Sequence, residues 1–270
     1  MYQKKFDHIE CEIKNHVLWI TLNQPEKRNA ISSEMANSLV EVLQHADFDK
    51  DVRVIVLTGK GECFSAGGDV KAMISKTGMF EGEANDLRFQ YMKGLQRVPL
   101  TIESLSTPIV ALVNGHAIGA GCDLSFMCDI RIAHKDVKFG ETFSKLGLVP
   151  GVGGTYFLQR LVGYGKAMEI FLTGKIFSAQ QAYDWGALQI LTTSQKESEK
   201  KCSELIEQLL ENSPTAQGLT KSALKMGARM DLKSHLELLA AYQGIAQRTD
   251  DHFEGLKALE EKRKPNFSFS

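Results

Sequence analysis

A chain of 270 residues that is 43% hydrophobic can bury the core of one large domain or two small ones, which argues against intrinsic disorder. Its 32 basic and 33 acidic side chains leave a formal net charge of −1, so no global field draws it to nucleic acid or to an anionic membrane. No apolar stretch approaches the roughly 20 residues of a membrane-spanning helix, and Met1–Asp7 carries no apolar run of the signal-peptide kind, so no membrane partner and a cytoplasmic home are expected.

In chain order, Ile9–Ile13 and His16–Leu22 read as strands joined by a turn at Lys14-Asn15, and Asn23–Glu26 breaks the second. Ser32 or Ser33 caps a helix to about Ala46, with Met35, Leu39, Val42 and Leu43 on one face. Val52–Thr58 is a β-branched run suited to a strand buried on both faces. Residues 86–105 read as helix, Pro108–Val113 as a second buried strand, Leu124–Met127 as a short apolar helix, and Asp129–Ala133 as a strand. Gly147–Gly154 is a loop. Beyond about residue 155 the pattern is almost wholly helical, with one short strand near Leu188–Leu191. With no repeat, linker or low-complexity tract, this is one α/β body, residues 1–200, followed by a helical C-terminal subdomain, residues 201–270. Cys11, Cys63, Cys122, Cys128 and Cys202 are odd in number and form no C-x-x-C pair, which points to buried small hydrophobes rather than disulfides or zinc ligands; the histidines share no metal-ligand spacing, so no metal is expected.

Two glycine-rich segments carry the chemistry. Phe64-Ser65-Ala66-Gly67-Gly68-Asp69 and Asn114–Asp123 each follow a β-like run and lead into a helix-like segment. At such a junction backbone N–H groups point outward, and two junctions facing each other would hold a developing oxyanion between two donors. That suggests an enzyme that polarises a carbonyl without a metal or a nucleophilic serine.

Together with Pro25–Ala30, Cys128–Ala133, Phe139-Gly140-Glu141, Leu146–Gly151, Gly153-Gly154-Thr155, Leu172-Thr173-Gly174, Ala182, Trp185-Gly186, Glu254-Gly255-Leu256 and Glu261–Pro265, these segments resemble the enoyl-CoA hydratase/isomerase (crotonase) family over nearly the whole chain. The resemblance implies a spiral of ββα units with a helical trimerisation region, a homotrimer or dimer of trimers, and an acyl-CoA thioester substrate. Coenzyme A is then part of the substrate and no separate cofactor is expected. It further implies oxyanion donors at Gly68 and Ala120. A CoA site would include Lys27 or Arg28 at the nucleotide, the Ala66 carbonyl at the adenine, Lys71 near the phosphates and Lys262 reaching a phosphate from the C-terminal end. Ala30, Gly67, Asp69, Gly119 and Phe143 belong to the same region, with Asp69 also capping the helix after the first loop.

The sequence departs from the hydratase pattern at its two acid positions. The first family glutamate is Asp123 here, and the second is Phe143. Several isomerases carry their acid directly after the loop proline, and that position is Gly151. Asp123 is thus the leading acid/base, against a role as a charge at a helix N-terminus. Glu141 is either a substitute acid/base or a structural residue, since its spacing from Phe143 turns it to a different side. His116 reads as a pocket-wall or packing residue rather than a base. The expected activity is that of an enoyl-CoA hydratase using Asp123 and a second partner, with double-bond isomerisation by Asp123 alone as the alternative and a catalytically weak CoA binder as a third reading. Lys196, Lys200 and Lys201 alternate with Glu197, Glu199 and Glu204, the pattern of a solvated helix rather than an RNA-binding one.

Overall fold

The computed structural model describes Tyr2 and residues 4–268. Its strands are β1 Ile9–Lys14, β2 Val17–Leu22, β3 Val54–Gly59, β4 Cys63–Ser65, β5 Ile109–Val113, β6 His116–Ile118, β7 Ile130–His134, β8 Lys138–Gly140, β9 Ile176–Ser178 and β10 Ile190–Thr192. Its helices are α1 Ser33–Ala46, α2 Val70–Ser75, α3 Ala84–Gln90, α4 Arg97–Ser104, α5 Ala120–Met127, α6 Gly154–Val162, α7 Tyr164–Thr173, α8 Ala179–Asp184, α9 Gln195–Leu210, α10 Pro214–Gly227, α11 Leu232–Ala246 and α12 Asp250–Glu260.

The β1–β2 hairpin turns at Asn15 and His16, both left-handed (φ 50° and 63°), one residue beyond the expected turn. The chain then repeats one step three times. β3 and β4, β5 and β6, and β7 and β8 each give a first strand to a six-stranded sheet, ordered β1-β2-β3-β5-β7-β10, and a second to a four-stranded sheet, ordered β4-β6-β8-β9. This is the ββα spiral. Its second strands are only three residues long and interrupted by the glycine loops, too short for alternation to register. β9 is missed for the same reason.

The central strands are buried on both faces, as their β-branched runs require. Val54, Val56, Val110, Leu112 and Ile132 pack with Cys202 and Ile206 of α9. The alternate residues Ile55, Leu57, Ile109 and Ala111 join the larger core with Met35, Leu39 and Leu43 of α1. Each such aliphatic side chain contributes about 1.5–3 kcal/mol by leaving water. Ser32 caps α1 as expected, accepting from the Met35 amide at 3.2 Å.

Two expectations are corrected. The helix read over 86–105 is three segments: α3, a π-helical turn at Tyr91–Leu95, and α4, which holds Pro99 in its first turn. The division at 200/201 falls inside α9, which lies against the six-stranded sheet, and α10 is still tied to the core by the buried Lys221, whose Nζ bonds Thr107 O at 2.8 Å and pairs with Asp129 at 2.6 Å. All five cysteines are free and four are buried; burial pushes the Cys11, Cys128 and Cys202 thiols up to about 12.

Candidate active site

The first glycine loop is held by the segment before α1. Asn29, fully buried and left-handed (φ 53°), donates through Nδ2 to the carbonyls of Lys60 (3.0 Å) and Cys63 (2.8 Å) and accepts from the Gln24 amide at 2.9 Å. Ser65 Oγ donates to Asn29 O at 2.7 Å, the Ala66 amide to Arg28 O at 2.9 Å, and the Ile31 amide to Gly67 O at 2.7 Å. This clamp presents Lys27 and Arg28 outward at the loop, with Ala30 buried behind them. Asn29 lies within a motif noted from sequence, but its buried bonds give no sequence signal. Asp69 caps α2 through the Ala72 amide at 3.1 Å and faces Lys27 Nζ at 3.7 Å, while Lys71 is exposed on α2.

The second loop packs directly on the first. Gly67 (φ +84°) comes so near that a β-carbon there would stand 2.5 Å from Ile118 O and 3.0 Å from Ala120 N. The Gly119 amide donates to Gly140 O at 2.7 Å, which anchors the loop to β8, and α5 starts at Ala120. Among the described residues no protein acceptor takes the amide hydrogen of Gly68 or of Ala120. Both predicted oxyanion donors are therefore free at the junction of the two loops.

One turn into α5 stands Asp123, and one residue past β8 stands Glu141. Both are fully buried. Among the described residues no protein donor reaches any of their four carboxyl oxygens in hydrogen-bonding geometry. A β-carbon on Gly154, the first residue of α6, would stand 1.7 Å from Asp123 Oδ1, so only glycine leaves this carboxyl its space. Burial pushes Asp123 up to about 7, opposed by the neighbouring Glu141 carboxyl and the Gly154 amide. Burial, then the charge of Asp123, raises Glu141 well above the carboxylate range, with the Cys122 thiol pulling slightly the other way. Glu141 is not turned aside from the site as its spacing predicts, because the chain leaves β8 at Gly140 and neither strand nor helix geometry governs the next residues.

The walls are apolar. The Phe143 ring comes within 3.7 Å of where a Gly119 β-carbon would lie, the Met73 methyl lies over Gly68, and the Tyr91 ring, from the π-helical turn, lies against Gly151. A side chain at Gly151 would meet this ring, with Tyr91 Cε1 2.8 Å from an added β-carbon; Tyr91 was not foreseen, because the segment read as ordinary helix.

Other candidates lie outside this cluster. His116 is exposed, its Nδ1 accepting from the Lys138 amide at 3.2 Å. Lys262 follows α12, its amide bonded to Leu259 O at 3.3 Å, and among the described residues no backbone bond joins it to the glycine loops. No group of His, Cys, Asp and Glu among the described residues could hold a metal ion. Lys200 and Lys201 pair with Glu204 at 3.8 and 2.7 Å on an exposed helix face.

The sequence profile of the enoyl-CoA hydratase/isomerase family matches residues 12–269. The chain belongs to that family. Among its relatives, the 1,2-epoxyphenylacetyl-CoA isomerase of Escherichia coli is 34% identical, with 97% of this chain and 98% of that protein aligned. The 2,3-dehydroadipyl-CoA hydratase of the same organism is 34% identical, over 94% and 96% of the two chains. The crystal structure of an enoyl-CoA hydratase from Bacillus anthracis superposes with a TM-score of 0.91 at 32% identity, covering 98% of this chain and all of that one (100%). The ββα spiral is thus the crotonase fold, and the chain is an enzyme of the enoyl-CoA hydratase/isomerase type.

Proposed function

We propose that this family member moves a proton on an enoyl-CoA thioester, with Asp123 as acid/base and the Gly68 and Ala120 amides as the oxyanion hole. One observation carries the reading: two unspent backbone donors and a buried, high-pKa carboxyl meet at one pair of glycine loops. Asp123 removes a proton from carbon 2, and the charge passes to the thioester oxygen between the amides. Double-bond isomerisation is completed when Asp123 returns the proton at carbon 4. Phe143, which stands at the second family glutamate's position, supports this one-base route, and with Met73 and Tyr91 it gives apolar walls suited to an apolar or ring-bearing acyl group.

Hydration is the second reading, supported by Glu141 lying beside Asp123, which supplies two carboxyls at one place. Ultraviolet absorbance of the conjugated thioester separates the readings. Loss of absorbance from a 2-enoyl-CoA is hydration, and gain from a 3-enoyl-CoA is isomerisation. An Asp123→Asn variant lowers either by about 10²–10⁴-fold with CoA affinity nearly unchanged; full activity in that variant contradicts the assignment.

Lys27, Arg28, the Ala66 carbonyl and Lys71 would meet the CoA moiety, which arrives with the substrate. Lys262, which follows α12, would reach a CoA phosphate from a neighbouring subunit. A homotrimer or dimer of trimers is supported by exposed apolar residues along the last helices, among them Leu224, Leu232, Phe253 and Leu259, and by the apolar groove of about 860 Å³ between α10 and α11. No helix among the described residues is long and apolar enough to cross a membrane, and a cytoplasmic location is part of the same reading.

A further inference from the structure

The two carboxyls raise a question that the assigned chemistry leaves open. Asp123 and Glu141 are held on separate elements, α5 and the chain leaving β8, and those elements are fastened together by the Gly119 amide on Gly140 O at 2.7 Å. Glu141 is fixed again by its own amide, which donates to Lys175 O at 3.1 Å. Both side chains are fully buried, and apart from each other their only polar neighbours are the Gly154 amide at Asp123 and the Cys122 thiol at Glu141, neither in full hydrogen-bonding geometry. Among the described residues no lysine, arginine or histidine weighs on them. The groups that face them are the Cys122 thiol from α5 and the Gly154 amide from α6; the Lys175 ammonium is turned away to Glu169 at 2.6 Å. Two bare carboxylates in such a place would repel each other without compensation, and two neutral acids would leave no base.

We propose that Glu141 is a positioning residue whose carboxyl shares one proton with Asp123, so that the two work as a single acid pair. Glu141 donates to Asp123 and holds it as a carboxylate in an apolar site without a cation. When Asp123 takes the proton from carbon 2 the pair carries two protons and is neutral. When Asp123 returns a proton to the substrate the pair is back to one, so no proton is gained or lost over the cycle. The inference rests on Asp123 as the proton carrier, and the test separates the two. It assigns to Glu141 a role that Gln, a neutral donor of the same length, can fill and that Leu, similar in size but no donor, cannot.

The experiment is a carboxyl ¹³C NMR titration of the full-length protein, with Asp123 and Glu141 assigned from Asp123→Asn and Glu141→Gln, alongside kcat/KM against pH. In the wild type both resonances should move together through one step, and Glu141→Gln should leave the Asp123 midpoint nearly unchanged. Glu141→Leu should raise that midpoint by about one pH unit or more, move the acid limb of the rate profile with it, and so lower turnover at neutral pH about tenfold. A purely structural Glu141 would move neither the midpoint nor the limb. The proposal is overturned if Asp123 titrates alike in the wild type and Glu141→Leu, or if Glu141 is ionised throughout pH 5–8. Should the leucine variant not fold, the wild-type titration alone decides. Coupled titration with full activity in Asp123→Asn upholds the shared proton and refutes the catalytic reading; independent titration with an inactive Asp123→Asn does the reverse.

Discussion

Gly154→Ala tests the site without touching a carboxyl. The added methyl would lie 1.7 Å from Asp123 Oδ1, 2.6 Å from its carboxyl carbon and 3.0 Å from Oδ2. Ordinary contact begins at about 3.4 Å, so Asp123 Oδ1 must retreat by about 1.7 Å or α6 must move. Gly154 opens α6 with φ outside the left-handed region, and alanine there favours the helix by up to about 1 kcal/mol. Overpacking costs about 1–3 kcal/mol, so the net loss of stability is small and the variant should fold. A displacement of about 1 Å in a reacting group lowers turnover about 10²-fold. The assay is turnover of 2-enoyl- and 3-enoyl-CoA by absorbance, with CoA binding measured by calorimetry. Binding should survive while kcat falls. Wild-type kcat in a folded Gly154→Ala enzyme would mean that Asp123 is not poised where the reaction takes place.

The two loops give a second test. A Gly67→Ala methyl would stand 2.5 Å from Ile118 O on a left-handed backbone, separate the two amides, and lower kcat by about 10²–10³-fold, as loss of an oxyanion donor does; unchanged kcat would argue against the hole. A third concerns stability. Both carboxyls have folded pKa values above their unfolded ones, so between about pH 4 and pH 7 the folded state binds more protons and stability falls as pH rises, by up to about 1.4 kcal/mol per pH unit for each extra proton held. Thermal unfolding at pH 5, 6.5 and 8 should show the decline, and Glu141→Gln should flatten it; equal slopes in the two proteins would refute the account of the pair. Phe143→Glu should add 3-hydroxyacyl-CoA formation, with a positioned carboxylate worth about 10²-fold or more in hydration. If product analysis finds no such gain, the aromatic wall is not what limits that chemistry.

The longest apolar runs were legible from sequence because burial on both faces forces them, as at Val54–Leu57 and Ile109–Val113. The three-residue strands beside the glycine loops were not, since alternation needs more length than β4, β6 or β8 has. Among site residues, the candidates Gly68, Ala120 and Asp123 can be named from sequence because each lies within one of the two glycine motifs. Glu141 is named from sequence only with two alternatives open, substitute acid/base or structural residue, because its nearness to Asp123 depends on the bond from Gly119 to Gly140 that ties α5 to β8. Tyr91 was lost for another reason: a π-helical turn re-aims a side chain, and the surrounding residues keep a helical pattern.

The most direct measurement is a crystal structure with an acyl-CoA bound. The thioester oxygen should lie about 2.7–3.1 Å from the amide nitrogens of both Gly68 and Ala120, with carbon 2 facing Asp123. An oxygen bonded to neither amide, or an acyl chain excluded from the space beside Phe143, would contradict the account.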